Sequence, residues 1–290
     1  MTDELLYSVR GPKSWVTMTS QELAESLEGT DVCLVPVGAI EQHAGHLPLG
    51  HDNFQVEEIV RRSVLKLAAK NRKAIFGPTI PFGPVPNLRF PGSIDIKPST
   101  LSILTKEVCL NLYRDGIKQI ALVMGHDMSL GALMVAAREL AHETDDDLNV
   151  IVLNWLPIVI HFLPEVRAKV PMEAFSAIPK KDGAVPTNAL EGHGGAGETS
   201  RMLWQHPGLV VKERQRDYPF ENPPPPAQFV SPIFMGGGVY TPRKTTNHDP
   251  KFEGIFGYPS AATAEVGDGS FDAISDWVAV AVEANCYRSQ

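Results

Sequence analysis

VCLVPVGAIEQHAGHLPLGHDNFQVEEIVRRSVLKLAA, residues 32–69, contains a strand, a loop and a helix in one stretch. VCLVPV (32–37) is a short apolar run rich in β-branched residues, which suits a buried strand. At the other end Val56, Ile59, Val60, Val64, Leu67 and Ala68 recur at the 3.6-residue period of an amphipathic helix, with Asp52 or Asn53 placed to cap it. Between them lies EQHAGHLPLGHD (41–52), which concentrates His43, His46 and His51 between Glu41 and Asp52 with no lysine or arginine to neutralise the acids.

The alternation continues downstream. KAIFGPTI (73–80), IALVM (120–124) and NVIVLNW (149–155) read as further strands. Ser99 can cap a helix carrying Leu101, Leu104, Val108 and Leu112, GALMVAARELAHE (131–143) is a second helix, and FDAISDWVAVAVEANCY (271–287) a last one. Strands separated by amphipathic helices require crossover connections. The expected fold is therefore α/β, three-layer, with a central mainly parallel sheet flanked by helices. From about residue 160 to 265 the periodicity weakens, and proline and glycine dominate in NPPPPAQFVSP (222–232) and FMGGGVYTP (234–242). That region reads as long loops, with room for a hairpin, attached to a single domain over 1–290. Its Pro/Gly-rich insertion lies around 219–242.

Composition narrows the function classes. A net charge of −8 without any basic run argues against a nucleic-acid or anionic-membrane partner. Cys33, Cys109 and Cys286 are odd in number, widely spaced and free of any CxxC pattern, so they read as reduced, buried thiols. MTDELLYSVRG lacks the layout of a signal peptide, and the most apolar stretch, Val150 to Leu163, is interrupted by Asn154, Pro157 and His161. The expectation is a soluble, cytoplasmic protein.

The histidine-rich loop begins just past the end of a strand, where open parallel sheets gather their ligand sites. His126 in VMGHDMS also follows a strand, and EGHGGAGETS (191–200) brings Glu191, His193 and Glu198 into a glycine-rich loop that runs into a helix. Each residue has an ordinary reading on its own: His126 as a satisfied strand-end histidine, His46 as a loop brace, His193 as a turn residue, Glu191 as a solvated acid. Together, three acid–histidine clusters at matching topological positions favour a metal site over coincidence. Imidazole and carboxylate suit Zn²⁺, Mn²⁺ and Fe²⁺. Glu41 and His43, two apart on an extended segment, would each serve one of two adjacent ions with Asp52 bridging. Such a pair can activate a hydroxide and polarise the carbonyl that it attacks.

These residues resemble the creatininase (creatinine amidohydrolase) family. GAIEQHAGHLPLGHD is similar to the family's Gly-x-x-Glu-x-His segment leading through HLPLG to an Asp. FPGSIDI (90–96), MGHD, HGGAGETS and GIFGYPSAATAEVGDG (254–269) resemble later family segments in the same order. The resemblance implies an α/β enzyme, usually oligomeric and often hexameric, that uses one or two divalent metals to hydrolyse small amides, commonly cyclic, or formamides. It implies metal-ligand roles for Glu41, His43, Asp52 and His126, with Glu198 as the best remaining ligand. His193, with Glu191, becomes the candidate for proton transfer or substrate contact.

The departures matter as well. His51 stands where the family usually has Thr, beside Asp52, and offers a further ligand or hydrogen bond. Met124 replaces the loop asparagine, and Asp127, Met128 and Ser129 replace small or amide residues, which remodels the pocket floor and argues against creatinine itself. Asp127 also competes with Glu198 to complete the site. The expected activity is hydrolysis of a C–N bond in a small polar or cyclic amide. Ring opening of a cyclic ketone at a C–C bond and a non-catalytic scaffold are the alternatives.

Overall fold

The structure is a computed structural model, and it describes residues 14–85, 90–155, 189–190, 193–218, 220–221, 254–255 and 257–287. Four strands form one sheet in the order β2-β1-β3-β4: β1 (Val32–Val37), β2 (Ile75–Phe76), β3 (Gln119–Met124) and β4 (Asn149–Leu153). Every pairing in it is parallel. Helices α1 (Ser20–Leu27), α2 (His51–Ala69), α3 (Pro98–Arg114) and α4 (Leu130–Glu143) are interleaved with the strands. Further on, β5 (Ala189–Leu190) pairs antiparallel with β6 (Phe220–Glu221), and helices α5 (Ala196–Gln205) and α6 (Ala264–Cys286) follow β5 and β6 respectively.

Side-chain alternation along the strands builds two cores. Val32, Leu34, Ala121 and Val123 point to one face, where Val56, Ile59, Val60, Val64 and Leu67 of α2 meet Phe271, Ile274, Val278 and Val282 of α6. Cys33, Val35, Ile120 and Leu122 point to the other, against Leu101 and Leu112 of α3 and Leu133 and Leu140 of α4. The result is the expected three layers. All three cysteines are buried and unpaired. Among the described residues no helix is long and apolar enough to cross a membrane.

Several boundaries differ from the sequence reading, each for a local reason. The 73–80 strand contracts to Ile75–Phe76, because Pro78 has no N–H to give a ladder; beyond it the chain stays beside β1 through Gly77 N–H to Leu34, Ile80 N–H to Pro36 and Gly38 N–H to Ile80. Helix α3 is capped at Lys97, with Pro98 preset for the first turn, so Ser99 lies inside it. The cap of α2 is Gly50, so Asp52 and Asn53 sit within the first turn rather than ahead of it. Ala68, assigned to the buried stripe, is exposed at the end of α2. Of the insertion around 219–242, only Phe220 and Glu221 fall among the described residues.

Helix α6 starts at Ala264, seven residues before the predicted Phe271, across Gly267 and Gly269. Gly267 is there for proximity. A Cβ on it would stand 2.0 Å from the Ser200 carbonyl oxygen of α5. Thr263, the α6 cap, accepts from Val266 N–H and donates its own N–H to Ser200 Oγ at 3.1 Å, locking the two helices at their crossing. Gly267→Ala gains about 1 kcal/mol of helix propensity but forces α5 off α6. We expect a net loss of about 1–3 kcal/mol, read from denaturant midpoints; an unchanged or raised midpoint would refute this account of the crossing.

Glu57, on α2, accepts from Thr79 Oγ1–H at 2.6 Å, and burial outweighs that bond and pushes its carboxyl from 4.5 up to about 7. The unfolded chain therefore releases this proton at lower pH than the folded one. Stability falls as pH rises through that window, and the cost is fully present above it. Glu57→Gln should be more stable than the parent by roughly 2–3 kcal/mol above pH 7.5, with the gain vanishing below about pH 4.5. Chemical denaturation at both ends of the range tests this; a gain independent of pH would contradict it.

Candidate metal centre

The C-terminal edge of the sheet gathers the candidate residues. Glu41 and His43 follow β1, His126 follows β3, Asp52 projects from the first turn of α2, and Glu198 from the first turn of α5. Gly125 sets the spacing between two of these segments. Its Cβ would lie 2.6 Å from the Asp52 carbonyl oxygen, so only glycine lets the His126 loop reach the start of α2. The loop after β1 is held by its own hydrogen bonds: Glu41 N–H to the Leu49 carbonyl, Gln42 N–H to Ser93 Oγ, and Ala44 N–H to Gln42 Oε1, with Ala44 in the left-handed region at φ 55°.

Backbone carbonyls fix the tautomers of two histidines. His126 Nε2–H donates to the Pro84 carbonyl at 2.8 Å, which leaves Nδ1 as the lone-pair nitrogen. That Nδ1 lies 3.2 Å from Glu41 Oε2 and 3.3 Å from Asp52 Oδ2. His43 Nδ1–H donates to the Glu41 carbonyl at 3.0 Å, and its Nε2 lies 3.4 Å from Asp52 Oδ1 and 3.5 Å from Glu198 Oε2. The two oxygens of Asp52 thus face two different imidazoles.

These separations exceed the usual ~2.7–2.9 Å of a charged hydrogen bond. They match instead the edge of a tetrahedron whose centre is about 2.0–2.2 Å from each donor, near 3.4 Å. His43 Nε2, Asp52 Oδ2 and both ring nitrogens of His51 are buried without a hydrogen-bond partner. Donor atoms of Glu41, Asp52 and His126 lie within 4.8 Å of one another, as do those of His43, His51, Asp52 and Glu198, and those of Glu41, His43 and His193. Buried, inward-facing and unpartnered donors of imidazole and carboxylate type fit a pair of divalent cations.

The electrostatics point the same way. Burial pushes Asp52 up, but His43 and His126 outweigh it and hold the carboxyl well below its usual range. Burial likewise works against the charge on Glu198, which His43, His51 and His193 overcome, whereas Glu41 stays raised by its burial. His43 is driven down by burial and up more strongly by Asp52, Glu198 and Glu41, reaching about 9. Buried carboxylates whose charge is favoured by neighbouring imidazoles against their burial form a site that calls for positive charge.

The other sequence candidates fall into distinct places. His193 is half-buried at the edge of the cluster; its Nε2–H donates to the Gln42 carbonyl at 2.7 Å, and its Nδ1 lies 3.7 Å from Glu41 Oε2. His46 is buried away from the donor sets, with Nε2 3.0 Å from Thr199 Oγ1, and it braces the loop against α5. His51 opens α2, and burial depresses it to about 3. Asp127 is half-buried in the short turn after His126, raised by burial, and belongs to none of the donor sets among the described residues. Gly125 has no positive φ, and Asp127 lies near enough to the cluster for His126 and His193 to favour its charge and for Asp52 and Glu198 to oppose it. Glu191 lies outside the described residues.

Sequence reasoning missed the support beneath Asp52. Gln55 donates to Asp52 Oδ1 at 3.2 Å and to the Gly125 carbonyl at 2.8 Å, while Arg201 Nε donates to Gln55 Oε1 at 3.0 Å and Arg201 Nη1 to Ser270 Oγ at 3.2 Å. The only signal was spacing: Gln55 is one helical turn after Asp52.

A sequence model of the creatininase family, described as creatinine amidohydrolase, matches residues 16–282. The chain belongs to the creatininase family. The creatinine amidohydrolase of Pseudomonas putida is 28% identical to it over 207 residues, 68% of this chain and 73% of that protein. The mycofactocin precursor peptide peptidase of Mycolicibacterium smegmatis is 27% identical over 262 residues, 90% of this chain and 86% of its own. The solved structure named Creatininase Mn superposes with a TM-score of 0.69 at 24% identity, covering 94% of this chain and 98% of that one, and so shares the fold.

Glu198→Gln replaces an anionic donor 3.5 Å from His43 Nε2 with an amide. It should lower the content of one cation per chain and reduce turnover by at least ~100-fold. Asp127→Asn should leave metal content near normal and change substrate preference. Elemental analysis with turnover on both variants decides the matter: an ion lost from Asp127→Asn and kept by Glu198→Gln reverses the assignment.

Proposed function

We propose that this protein is a metal-dependent hydrolase that cleaves the C–N bond of a small polar amide or cyclic amide. Glu41, Asp52 and His126 would hold one divalent cation and His43, Asp52 and Glu198 a second, with Zn²⁺ or Mn²⁺ the ions best suited to these donors and Fe²⁺ compatible with them. The observation that carries this reading is Asp52, a buried carboxylate whose two oxygens face the inward ring nitrogens of two separate imidazoles at 3.4 and 3.3 Å. When bound, such a cation pair supplies the positive charge that acidifies a water and polarises a carbonyl.

The chain's own groups then have separate tasks. His193, with Nε2–H engaged by the Gln42 carbonyl, keeps Nδ1 free to take up or return a proton at the half-exposed side of the cluster. Glu191 is the companion candidate beside it in the sequence. Asp127, Met128 and Ser129 line the turn after His126 and set what the pocket accepts. The relatives named for creatinine and for a precursor peptide both act on amide bonds, which supports C–N cleavage as the reaction class. The altered turn argues for a different amide from creatinine. We further infer one metal-hydrolase domain carrying the 219–242 insertion, a small-molecule substrate, a cytoplasmic setting for its reduced thiols and a homo-oligomeric state, with a hexamer as the family-based expectation.

Purified protein should carry a divalent metal, lose amide hydrolysis on chelation and regain it on readdition. Asp52→Ala should lose most of both ions and at least ~1,000-fold of turnover, because one carboxylate serves both sites. Equal metal content in parent and variant would sink the bridging role. A panel of cyclic amides, formamides, short peptides and cyclic diketones tests the reaction class. Turnover confined to the diketones would replace C–N cleavage with ring opening at a C–C bond.

A further inference from the structure

His51 is the first residue of α2 and is fully buried, at 0% exposure. Neither of its ring nitrogens has a hydrogen-bond partner. The neighbouring imidazoles differ: His43 is held by the Glu41 carbonyl, His126 by the Pro84 carbonyl and His46 by Thr199. A buried ring left without any partner carries the desolvation penalty of both nitrogens uncompensated, and folding places one here among the acids and imidazoles of the cluster. Its ring meets that of His43 edge-on, with centroids 4.8 Å apart and planes at 64°. One of its nitrogens lies within 4.8 Å of donor atoms on His43, Asp52 and Glu198.

We propose that His51 is a fourth protein ligand of the cation held by His43, Asp52 and Glu198. The inference rests on the reading of the cluster as a divalent-cation pair and goes beyond it, by making the two sites unequal. Two imidazoles and two carboxylates fill a four-coordinate shell, whereas Glu41, Asp52 and His126 leave the other cation with a vacant place. The open side of the pair is then the Glu41–His126 side. His193, the half-exposed histidine of the cluster, lies 3.7 Å from Glu41 and packs its ring against that of His43 at 4.3 Å, so it faces both sites.

The test compares the parent protein with His51→Ala and His51→Asn, the second retaining a polar side chain should the first fail to fold. Zinc content after exhaustive dialysis and zinc affinity against a chelating dye are read beside far-ultraviolet circular dichroism. The expected result is two ions in the parent and one firmly held ion in each folded variant, with the second weakened by at least ~100-fold, more than loss of a residue that merely orients a ligand. X-ray absorption of the zinc-loaded parent supplies a measurement that needs no variant. Three imidazoles shared over two ions are expected, one each from His43, His51 and His126. Two imidazoles, or folded variants that keep both ions at parental affinity, would overturn the role of His51 while leaving the metal-hydrolase reading intact. A parent that binds no cation would overturn that underlying reading instead.

Discussion

Asp52 sits between His43 and His126 with both carboxylate oxygens buried, and every other element of the site is arranged around holding it there. An ionised carboxylate in such a place carries a desolvation cost of several kcal/mol. Part of the compensation is structural. Asp52 lies in the first turn of α2, where backbone N–H groups present partial positive charge, and Glu198 likewise lies in the first turn of α5. Asp52, Glu198 and His51 thus enter the cluster from helix starts, while Glu41, His43 and His126 enter from strand ends. A parallel sheet produces this division by itself, because its strand ends and the following helix starts share one edge.

Beneath that edge the support is tightly specified. Gln55 reads both Asp52 and the Gly125 carbonyl, and Arg201 fixes the amide of Gln55 by donating to its oxygen. Arg201 belongs to α5, the helix that also carries Glu198, and it donates to Ser270 of α6. Displacing α5 would therefore disturb a donor and the group that orients Asp52 at the same time. The close crossing at Gly267 and Ser200 matters to the site for this reason, although neither residue faces it. It couples packing in the helical layer to the position of two carboxylates.

The amino-acid sequence makes the strands and the site legible to different degrees. β1 and β3 are buried on both faces, so they read as uninterrupted apolar runs, and α2 announces itself by its stripe. The ligand candidates stand out because histidines and acids without basic neighbours recur just past strands. What stays hidden depends on contact between distant segments. Gly267 looks like a helix breaker until α5 is seen against α6. Gln55 and Arg201 are ordinary polar residues of helices, and only their mutual geometry gives them a task. Pro78 shortens β2 through a missing donor that an apolar pattern does not register. The competition between Glu198 and Asp127 could not be settled by spacing, because it turns on the direction of a backbone turn that the sequence leaves open.

Charge balance connects these points to chemistry. Glu41, Asp52 and Glu198 are three acids that share the donor sets with histidines, and ionised they bring three negative charges to a buried volume. Without metal, protonated imidazoles answer that charge, which is why His43 and His126 are driven upward despite their burial. On the proposed reading, two divalent cations would carry four positive charges against those three, and the imidazoles would return to their neutral ligand form. The net charge of the filled cluster would then be positive. A dry, slightly cationic pocket stabilises negative charge developing on an oxygen far better than water does. Asp127, half-buried beside His126, is the nearby acid able to take up part of that surplus. It would act on how strongly the pocket favours an anionic over a neutral substrate, a task distinct from holding the metal.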